Sequence, residues 1–342
     1  MKMQLDQNLS RTFDWLRFPL ALLVVYLHVA PNLTVIQSTY GTSSPYFWIA
    51  NVIYNIANLA VPSFFLMSGY LMAFNMASFS FDVYVKKLKR RCLTLLIPYL
   101  IWNLLCLGYM YITRQLIEFP GWDTIFLKPL NFPLWFIRNL IVLNIVYPIL
   151  WTMVKYLRLP LLMVVTLIYL LIPFAHNIVY IHPYTLSSFV YFYLGVYGGI
   201  HCLSFNSSPK ALIIGLSILT LISFSLVVLN PVLNIPYISN FYLLCGTITL
   251  LLLAYKLIET YNIRPITLLA ASSAFIYFSH KLGPTYISKQ LVGALLPGGE
   301  ASDIIIFIVS PIVASLICVG LYYLLGKIHP SILRVLTGKS NK

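Results

Sequence analysis

The chain has 342 residues, of which 60% are hydrophobic and 9% are charged. Soluble domains usually carry about 25% charged residues, so the composition excludes a water-soluble enzyme, a disordered tail and a collagen-like fibre. Lysine and arginine number 22 against 8 acidic residues, which gives a net charge of +14. The basic residues flank apolar runs, which is typical of the cytoplasmic edges of a membrane protein, and we expect no nucleic-acid partner. The composition therefore indicates a multi-pass protein of the lipid bilayer.

Ten apolar runs approach or exceed the roughly 20 residues that a helix needs to cross the hydrocarbon layer. The runs cover residues 14–34, 47–76, 92–112, 134–154, 159–175, 184–201, 211–229, 237–257, 266–282 and 303–325. The second run is long enough to be tilted or to break at Pro62, and we expect the first run to be an uncleaved span. The prediction is an all-α membrane fold of about ten transmembrane helices. It forms a single transmembrane domain over residues 1–342, with its core at 10–325 and no separate soluble domain.

The basic residues orient this fold. With the N-terminus placed in the cytoplasm, 17 of them fall on the inner side and four on the outer side. The inner set is Lys2, Arg11, Arg17, Lys86, Lys87, Lys89, Arg90, Arg91, Lys155, Arg158, Lys210, Lys256, Arg264, Lys327, Arg334, Lys339 and Lys342. The outer set is Arg114, Lys128, Lys281 and Lys289, and Arg138 lies within a run. Both termini are therefore predicted to be cytoplasmic.

The cysteines and histidines do not suggest a metal site. The cysteines occur singly, at positions 92, 106, 202, 245 and 318, without a CxxC spacing. No HxxxH or HExxH pattern is present among the histidines. An odd number of isolated cysteines within apolar segments indicates small buried thiols, so we expect neither a disulfide framework nor a metal.

The first apolar run contains three ionisable residues, Asp14, Arg17 and His28. Such residues are costly inside a membrane and mark candidate functional sites. Arg17 and His28 are separated by close to three helical turns, so they share one face, with Arg17 roughly 16 Å nearer the cytoplasm. Asp14 can pair with Arg17. An arginine there suits a phosphate, and the histidine suits activation of a hydroxyl. The alternative is a snorkelling Arg17 and a hydrogen-bonded core His28.

Two further segments on the inner half have both structural and functional interpretations. Ser68-Gly69 in the second run permits close approach of a neighbouring helix or of a ligand, and Pro62 favours a kink. The basic cluster of residues 86–91, which includes Arg90 and Arg91, is sufficient as a stop signal at the membrane edge. It also has the chemistry to bind a polyphosphate.

The outer half holds Trp135 and Arg138 in the fourth run and His280 at the end of the ninth. Arg138 either snorkels outward or serves a site. No carboxylate falls in the middle of a run, which weighs against an ion-coupled transporter. A reaction with an anionic donor substrate on the inner side and a neutral acceptor substrate on the outer side would fit this distribution of arginine and histidine residues.

With these residues in view, the chain resembles the acyltransferase-3 family of integral-membrane acyltransferases over about residues 10–325. The motifs that carry the resemblance are Phe13-Asp14-Trp15-Leu16-Arg17 with His28, Val61-Pro62-Ser63-Phe64-Phe65 through Ser68-Gly69-Tyr70, Ile97-Pro98-Tyr99-Leu100-Ile101-Trp102, Leu134-Trp135-Phe136-Ile137-Arg138, Phe192-Tyr193-Leu194-Gly195, and Ser273 through Tyr277 to His280. The sequence departs from the family pattern at Thr94, where many members have a second arginine after Arg91, and at Asn139, which is often aspartate.

The resemblance implies an acyl-CoA-dependent O-acyltransferase of the bacterial cytoplasmic (inner) membrane. Acetyl-CoA, or another acyl-CoA, would be the co-substrate, and a cell-surface glycan or lipid-linked sugar would be the acceptor. It implies that His28 is the catalytic histidine and Arg17 its partner near the donor. We expect Arg17, Arg90, Arg91 and Ser68 on the acyl-CoA side and Trp135, Arg138 and His280 on the acceptor side. An unperturbed histidine is mostly neutral near pH 7 and so available as a base.

The residues leave three questions open. His28 could act as a general base, or it could carry the acyl group as a covalent relay. A secondary transporter or flippase of a polysaccharide or lipid-linked precursor is the alternative function, and a structural partner of a polysaccharide synthase is another. The acyl group, the acceptor and the oligomeric state, including a homo-oligomer, are not determined by the residues.

Overall fold

Helices make up all the regular structure in the part of the chain that the computed structural model describes, which is residues 6–29, 31–74, 76, 78–115, 118–171, 185–201, 205 and 208–338. The α-helices are α1 (Gln7–Val29), α2 (Leu33–Tyr40), α3 (Pro45–Ala57), α4 (Ala60–Ala73), α5 (Phe81–Ile112), α6 (Trp122–Leu127), α7 (Trp135–Ile145), α8 (Tyr147–Leu171), α9 (Thr185–Ile200), α10 (Lys210–Val228), α11 (Asn230–Leu233), α12 (Ile238–Tyr261), α13 (Thr267–Ser279), α14 (Pro284–Gly293), α15 (Glu300–Ile328) and α16 (Pro330–Thr337). Two 3-10 turns cover Phe132–Leu134 and His280–Leu282. Lys2, Cys202, Lys339, Lys342 and the end of the fifth apolar run lie outside the described residues.

Seven segments of the described chain are long and apolar enough to cross a membrane. They are α1, the α3–α4 segment Pro45–Ala73, α5, α8, α10, α12 and α15. Two shorter apolar helices cover Phe132–Ile145 and Leu186–Ile200. Helix α10 exposes large aliphatic side chains such as Leu221, at 65% exposure, which suits contact with lipid. The protein is thus a multi-pass membrane protein whose described residues form no regular structure other than helices, and the total of ten spans stays a prediction.

The fourth apolar run does not form the single helix that the sequence predicts. The run 134–154 is divided at Val146, between α7 and α8. Pro148 near the start of α8 has no N–H to donate to a carbonyl of the preceding turn, which weakens the helix at this point. Helix α8 consists of two helical stretches joined by a kink at Arg158, where the backbone is non-helical with φ 43° and ψ −135°, so a break falls between the fourth and fifth runs as the sequence predicts. Pro160 accounts for the kink.

The contacts divide the chain into two compact units. Unit 1 consists of Met1–Leu20, Asn58–Lys87 and Val142–Ile266, and unit 2 consists of Ala21–Ala57, Leu88–Ile141 and Thr267–Lys342. The second apolar run changes from unit 2 to unit 1 at Asn58, where α3 has ended and α4 has not begun. The second run is thus interrupted at residues 58–59 and not at Pro62, which lies in the first turn of α4, where its missing N–H costs no helical hydrogen bond.

Unit 1 is built on the close packing of α4 against α9. A Cβ atom added at Gly69 would lie 2.1 Å from the carbonyl oxygen of Phe192. One added at Gly195 would lie 2.1 Å from the carbonyl oxygen of Leu66. The two backbones approach this closely only because both residues are glycine, which is the usual device for packing helices in membranes.

The connection after α4 is fixed by long side chains. The Lys87 ammonium donates to the carbonyl oxygens of Met72 and Phe74, at 2.7 and 2.8 Å. The Trp151 indole N–H donates to the carbonyl oxygen of Met76 at 2.7 Å. Lys87, which the sequence presents as part of a basic cluster, therefore caps the carbonyl end of a helix.

In unit 2, Trp102 of α5 joins α13 to the C-terminal helix α16. Its indole N–H donates to the carbonyl oxygen of Leu336 at 2.9 Å. Its ring lies parallel to that of Phe278, with centroids 6.2 Å apart, and edge-on to Phe275 at 5.7 Å. Trp102 thus ties the end of α16 to the helix that precedes His280.

The first turn of α15 is held by short helices earlier in unit 2. The Tyr40 hydroxyl donates to Asp303 at 2.6 Å, and the Ser44 hydroxyl donates to Glu300. Asp303 as a hydrogen-bond acceptor raises the pKa of Tyr40 above its ordinary value. Carboxylates are favourable at a helix N-terminus, so these contacts stabilise the start of α15.

We predict that Gly195→Ala destabilises the protein, because its new Cβ would clash with the backbone of α4. Overpacking of this kind costs about 1–3 kcal/mol. Gly215→Ala is the matched control, since Gly215 lies in α10 and a Cβ added there would meet no atom within 4 Å. The measurement is the midpoint of thermal unfolding in detergent, which should fall for Gly195→Ala and hold or rise for Gly215→Ala. Equal midpoints for the two variants would contradict the close packing of α4 on α9.

Candidate active site

Arg17 and His28 both lie in α1, which is one helix from Gln7 to Val29. The predicted pairing of Asp14 with Arg17 is confirmed, with a distance of 2.9 Å between Oδ1 and Nη1. The two side chains are 40% and 47% exposed. Exposed ion pairs of this kind contribute little stability, so the Arg17 guanidinium can exchange the carboxylate for another anion at small cost.

His28 packs against two aromatic rings of unit 2. Its half-buried imidazole stacks on that of His280, with ring centroids 5.3 Å apart and an interplanar angle of 28°. Phe132 meets the His28 ring edge-on at 5.9 Å. His28 is also in the last turn of α1, where the partial negative charge of the helix end favours a cation. The structure therefore brings together two histidines that the sequence predicts only to lie on the same half of the membrane.

The hydrogen bond of His280 indicates which ring nitrogen carries the proton. The residue is fully buried, and its Nδ1 lies 2.9 Å from the carbonyl oxygen of Ile276. Because a carbonyl only accepts, Nδ1 is assigned the proton, and Nε2 of the neutral ring is then an acceptor. This Nε2 has no hydrogen-bond partner within the described part of the chain. Nε2 is therefore available to accept a hydrogen bond.

The two 3-10 turns that carry Phe132 and His280 are held together by hydrogen bonds to the backbone. Asn131 Nδ2 donates to the carbonyl oxygen of Phe278 at 3.0 Å. The Tyr277 hydroxyl donates to the carbonyl oxygen of Pro133. These bonds fix the turn at 132–134 against the end of α13, so the neighbours of His28 have defined positions.

Trp135 and Arg138 lie in α7 beside this arrangement in the chain. Trp135 is buried at the first position of the helix and contacts the edge of Phe136. Arg138 donates from Nε and Nη2 to Asn139 Oδ1, at 3.1 and 2.8 Å, and from Nη1 to the carbonyl oxygen of Leu127. The side chain of Asn139, a neutral amide, therefore accepts hydrogen bonds from Arg138. The predicted roles of Trp135 and Arg138 at the acceptor stay predictions.

The remaining predicted residues lie in α4 and α5. Arg90 is exposed and Arg91 half-buried, as expected for neighbours that differ by about 100° around a helix. Ser68 is half-buried in α4, and the adjacent Gly69 packs on α9. The close approach predicted at Ser68-Gly69 is thus made by a neighbouring helix. A contact of Ser68, Arg90 or Arg91 with a donor stays a prediction.

The histidines, cysteines and acidic residues of the described ranges are dispersed. No cluster of three such side chains that could hold a metal ion occurs there. Cys92, Cys106, Cys245 and Cys318 are free thiols.

The sequence pattern assigns no role to Phe132 or Lys281. Phe132 precedes the Leu134-Trp135-Phe136 motif, and Lys281 directly follows His280. The Lys281 ammonium lies 5.1 Å from the centroid of the Phe132 ring. The only signal in the sequence is this adjacency to motif residues, because the contacts themselves join segments that are far apart in the chain.

The comparison with known proteins identifies the family. A family model described as an acyltransferase domain, that of acyltransferase-3, matches residues 11–324. No curated protein and no solved structure matches the chain. The matched range includes Arg17, His28 and His280 and covers nearly the whole sequence. The chain therefore belongs to the acyltransferase-3 family and is a membrane acyltransferase.

Proposed function

We propose that the protein is an acyl-CoA-dependent O-acyltransferase of a bacterial cytoplasmic membrane, with about ten spans and both termini in the cytoplasm. It transfers an acyl group, acetyl in the simplest case, from cytoplasmic acyl-CoA to a hydroxyl of an extracytoplasmic glycan or lipid-linked sugar. Family membership supports acyl transfer. The observation that carries the rest is the half-buried His28 imidazole, stacked on the fully buried His280.

In this proposal His28 takes the proton from the acceptor hydroxyl. The oxygen then attacks the thioester carbonyl carbon, and the C–S bond breaks as the carbonyl re-forms. The CoA thiolate takes up the proton from the His28 imidazolium, which restores the neutral base. The half-buried position of His28 supports this role, because burial favours the neutral imidazole that acts as the base. A covalent acyl-histidine relay would use the same residue.

The donor side of the proposal comprises Arg17, Arg90, Arg91 and Ser68. Guanidinium groups bind phosphate oxygens with two parallel hydrogen bonds, and CoA carries several phosphate groups. The exposed ion pair of Arg17 with Asp14 and the exposure of Arg90 support their availability to an anion. Each of these four residues is assigned to the acyl-CoA side on its own features and not on a contact with the other three.

The acceptor side comprises Trp135, Arg138 and His280. His280 has the strongest support, because it contacts the ring of the proposed base. To touch an acceptor, Arg138 would have to exchange its hydrogen bonds to Asn139 or Leu127 for bonds to the ligand. Trp135 would have to turn out of its buried position, so its simpler contribution is to support the adjacent turn at 132–134.

We predict that His28→Ala lowers acyl transfer by about 10²–10⁴-fold, which is the usual contribution of a general base. The measurement is transfer of labelled acetyl from acetyl-CoA to glycan and lipid-linked fractions in membranes containing the protein. His329→Ala is the control, because His329 is exposed at the end of α15. Full activity of His28→Gln would refute the mechanism. Wild-type membranes without transfer, together with purified protein that does not bind acetyl-CoA, would favour the transporter or flippase.

We predict that Arg17→Ala raises the KM for acetyl-CoA, because it removes a charge-assisted contact with a phosphate. Such contacts contribute about 1.5–3 kcal/mol, so KM should rise roughly 10–100-fold. Arg264→Ala is the control for loss of an exposed basic residue. The measurement is initial rate against acetyl-CoA concentration at low and high salt. A fall in kcat at unchanged KM would show that Arg17 does not bind the donor phosphates.

A further inference from the structure

We infer that Lys281 is a further catalytic residue of the proposed acyl transfer. Its ammonium group is assigned to stabilise the negative charge that develops on the carbonyl oxygen of the acyl group. This inference rests on the proposed function and adds to it a residue that the sequence places only at the outer end of a span.

The position of Lys281 is the first observation. Lys281 follows His280 in the 3-10 turn His280–Leu282, and part of its side chain is exposed. Its Nζ lies 5.1 Å from the centroid of the Phe132 ring, and the same ring lies 5.9 Å from that of His28. The ammonium is also close enough to interact electrostatically with the imidazole of His28. Lys281, His280 and Phe132 therefore surround one side of the proposed base.

The charge balance around Lys281 is the second observation. Its ammonium pairs with no carboxylate of the described residues. Glu300 and Asp303, the acids at the start of α15, accept hydrogen bonds from Ser44 and Tyr40. Cys106 interacts electrostatically with Lys281, but a thiol is mostly neutral near pH 7. The Phe132 ring face adds about 0.5–1 kcal/mol of cation–π attraction but no full negative charge. The site thus holds a positive charge without a counter-ion from these residues.

Acyl transfer generates the missing negative charge. When the acceptor oxygen bonds to the carbonyl carbon, the π electrons of the C=O bond move to the oxygen, and the proton passes from the hydroxyl to His28. The ammonium of Lys281 offers three N–H donors to this oxyanion. The carbonyl then re-forms, the C–S bond breaks, and the thiolate takes the proton from His28. Atoms and charge balance without another reactant.

The interaction is stronger in the transition state than in the ground state. Before attack, His28 is neutral and the carbonyl oxygen carries only a partial charge. During attack, the oxyanion is stabilised by two cations, the His28 imidazolium and the Lys281 ammonium. Only interactions that strengthen in this way accelerate the chemical step, and stabilisation of developing charge is often the largest contribution.

The test compares purified wild-type protein with Lys281→Met, Lys281→Arg and Lys281→Gln. Lys289→Met is the matched control, because Lys289 is a half-buried lysine in α14, eight residues further along the chain. For each variant, kcat and the KM values for acetyl-CoA and acceptor are measured separately, using the acceptor fraction that the wild type labels. Thermal unfolding is measured alongside, so that loss of activity is assigned only to variants that fold as the wild type does.

Lys281→Met and Lys281→Gln should lower kcat about 10²–10³-fold, the usual effect of losing one oxyanion donor, with both KM values within about threefold of the wild type. Lys281→Arg should recover most of kcat, because it keeps the charge, and Lys289→Met should behave as the wild type. These results would support the inference.

Two outcomes would overturn the inference while leaving the proposed function intact. The first is a Lys281→Met or Lys281→Gln protein with wild-type kcat. The second is an effect confined to the KM for the acceptor, which would mean that Lys281 binds a negatively charged acceptor and not the oxyanion. If the wild type and Lys289→Met both transfer no acyl group, the proposed function fails, and the inference fails with it.

Discussion

A backbone carbonyl or amide inside a bilayer has no water to bind, so each group left free at a helix end needs a partner from the protein. The end of α4, beside the basic cluster at the predicted membrane edge, shows the same need of free carbonyl groups for a partner. Lys87 binds the carbonyl oxygens of Met72 and Phe74, and Trp151 binds that of Met76. These long side chains come from other helices, so satisfying the helix end also fixes the neighbouring helices of unit 1.

The same constraint builds the surroundings of the proposed base in unit 2. Asn131 and Tyr277 use their side chains to bind backbone carbonyls across the junction of α13 and the turn at 132–134. His280 uses Nδ1 in the same way, and this contact leaves Nε2 as the free acceptor of a neutral ring. A bond that stabilises the backbone therefore also sets the chemistry of the ring on which His28 stacks. The stability of this region and its proposed catalytic role depend on the same atoms.

The sequence predicts features that depend on residues close together in the chain or on local composition. The helix containing Asp14 and Arg17, their ion pair and the close approach at Gly69 are of this kind, and the structure confirms them. Hydropathy did not detect the division between α7 and α8, because a proline interrupts hydrogen bonding without lowering the apolar content. The stacking of His28 on His280 was also beyond prediction. It depends on which helices become neighbours, and one sequence contains no record of that.

The basic residues of the chain differ in what they bind. These partners distinguish structural basic residues from a catalytic one better than the number of basic residues does. Lys87 and Arg138 use their donors on carbonyl or amide oxygens, and Arg17 has a carboxylate beside it. The donors of these residues are used within the protein before any substrate arrives. Lys281 is close to His28 and pairs with no carboxylate of the described residues. Near the proposed base, the counter-charge of this lysine comes only from the reacting acyl group. The positive charge therefore gains most of its electrostatic energy at the transition state. A charge in that position accelerates the chemical step.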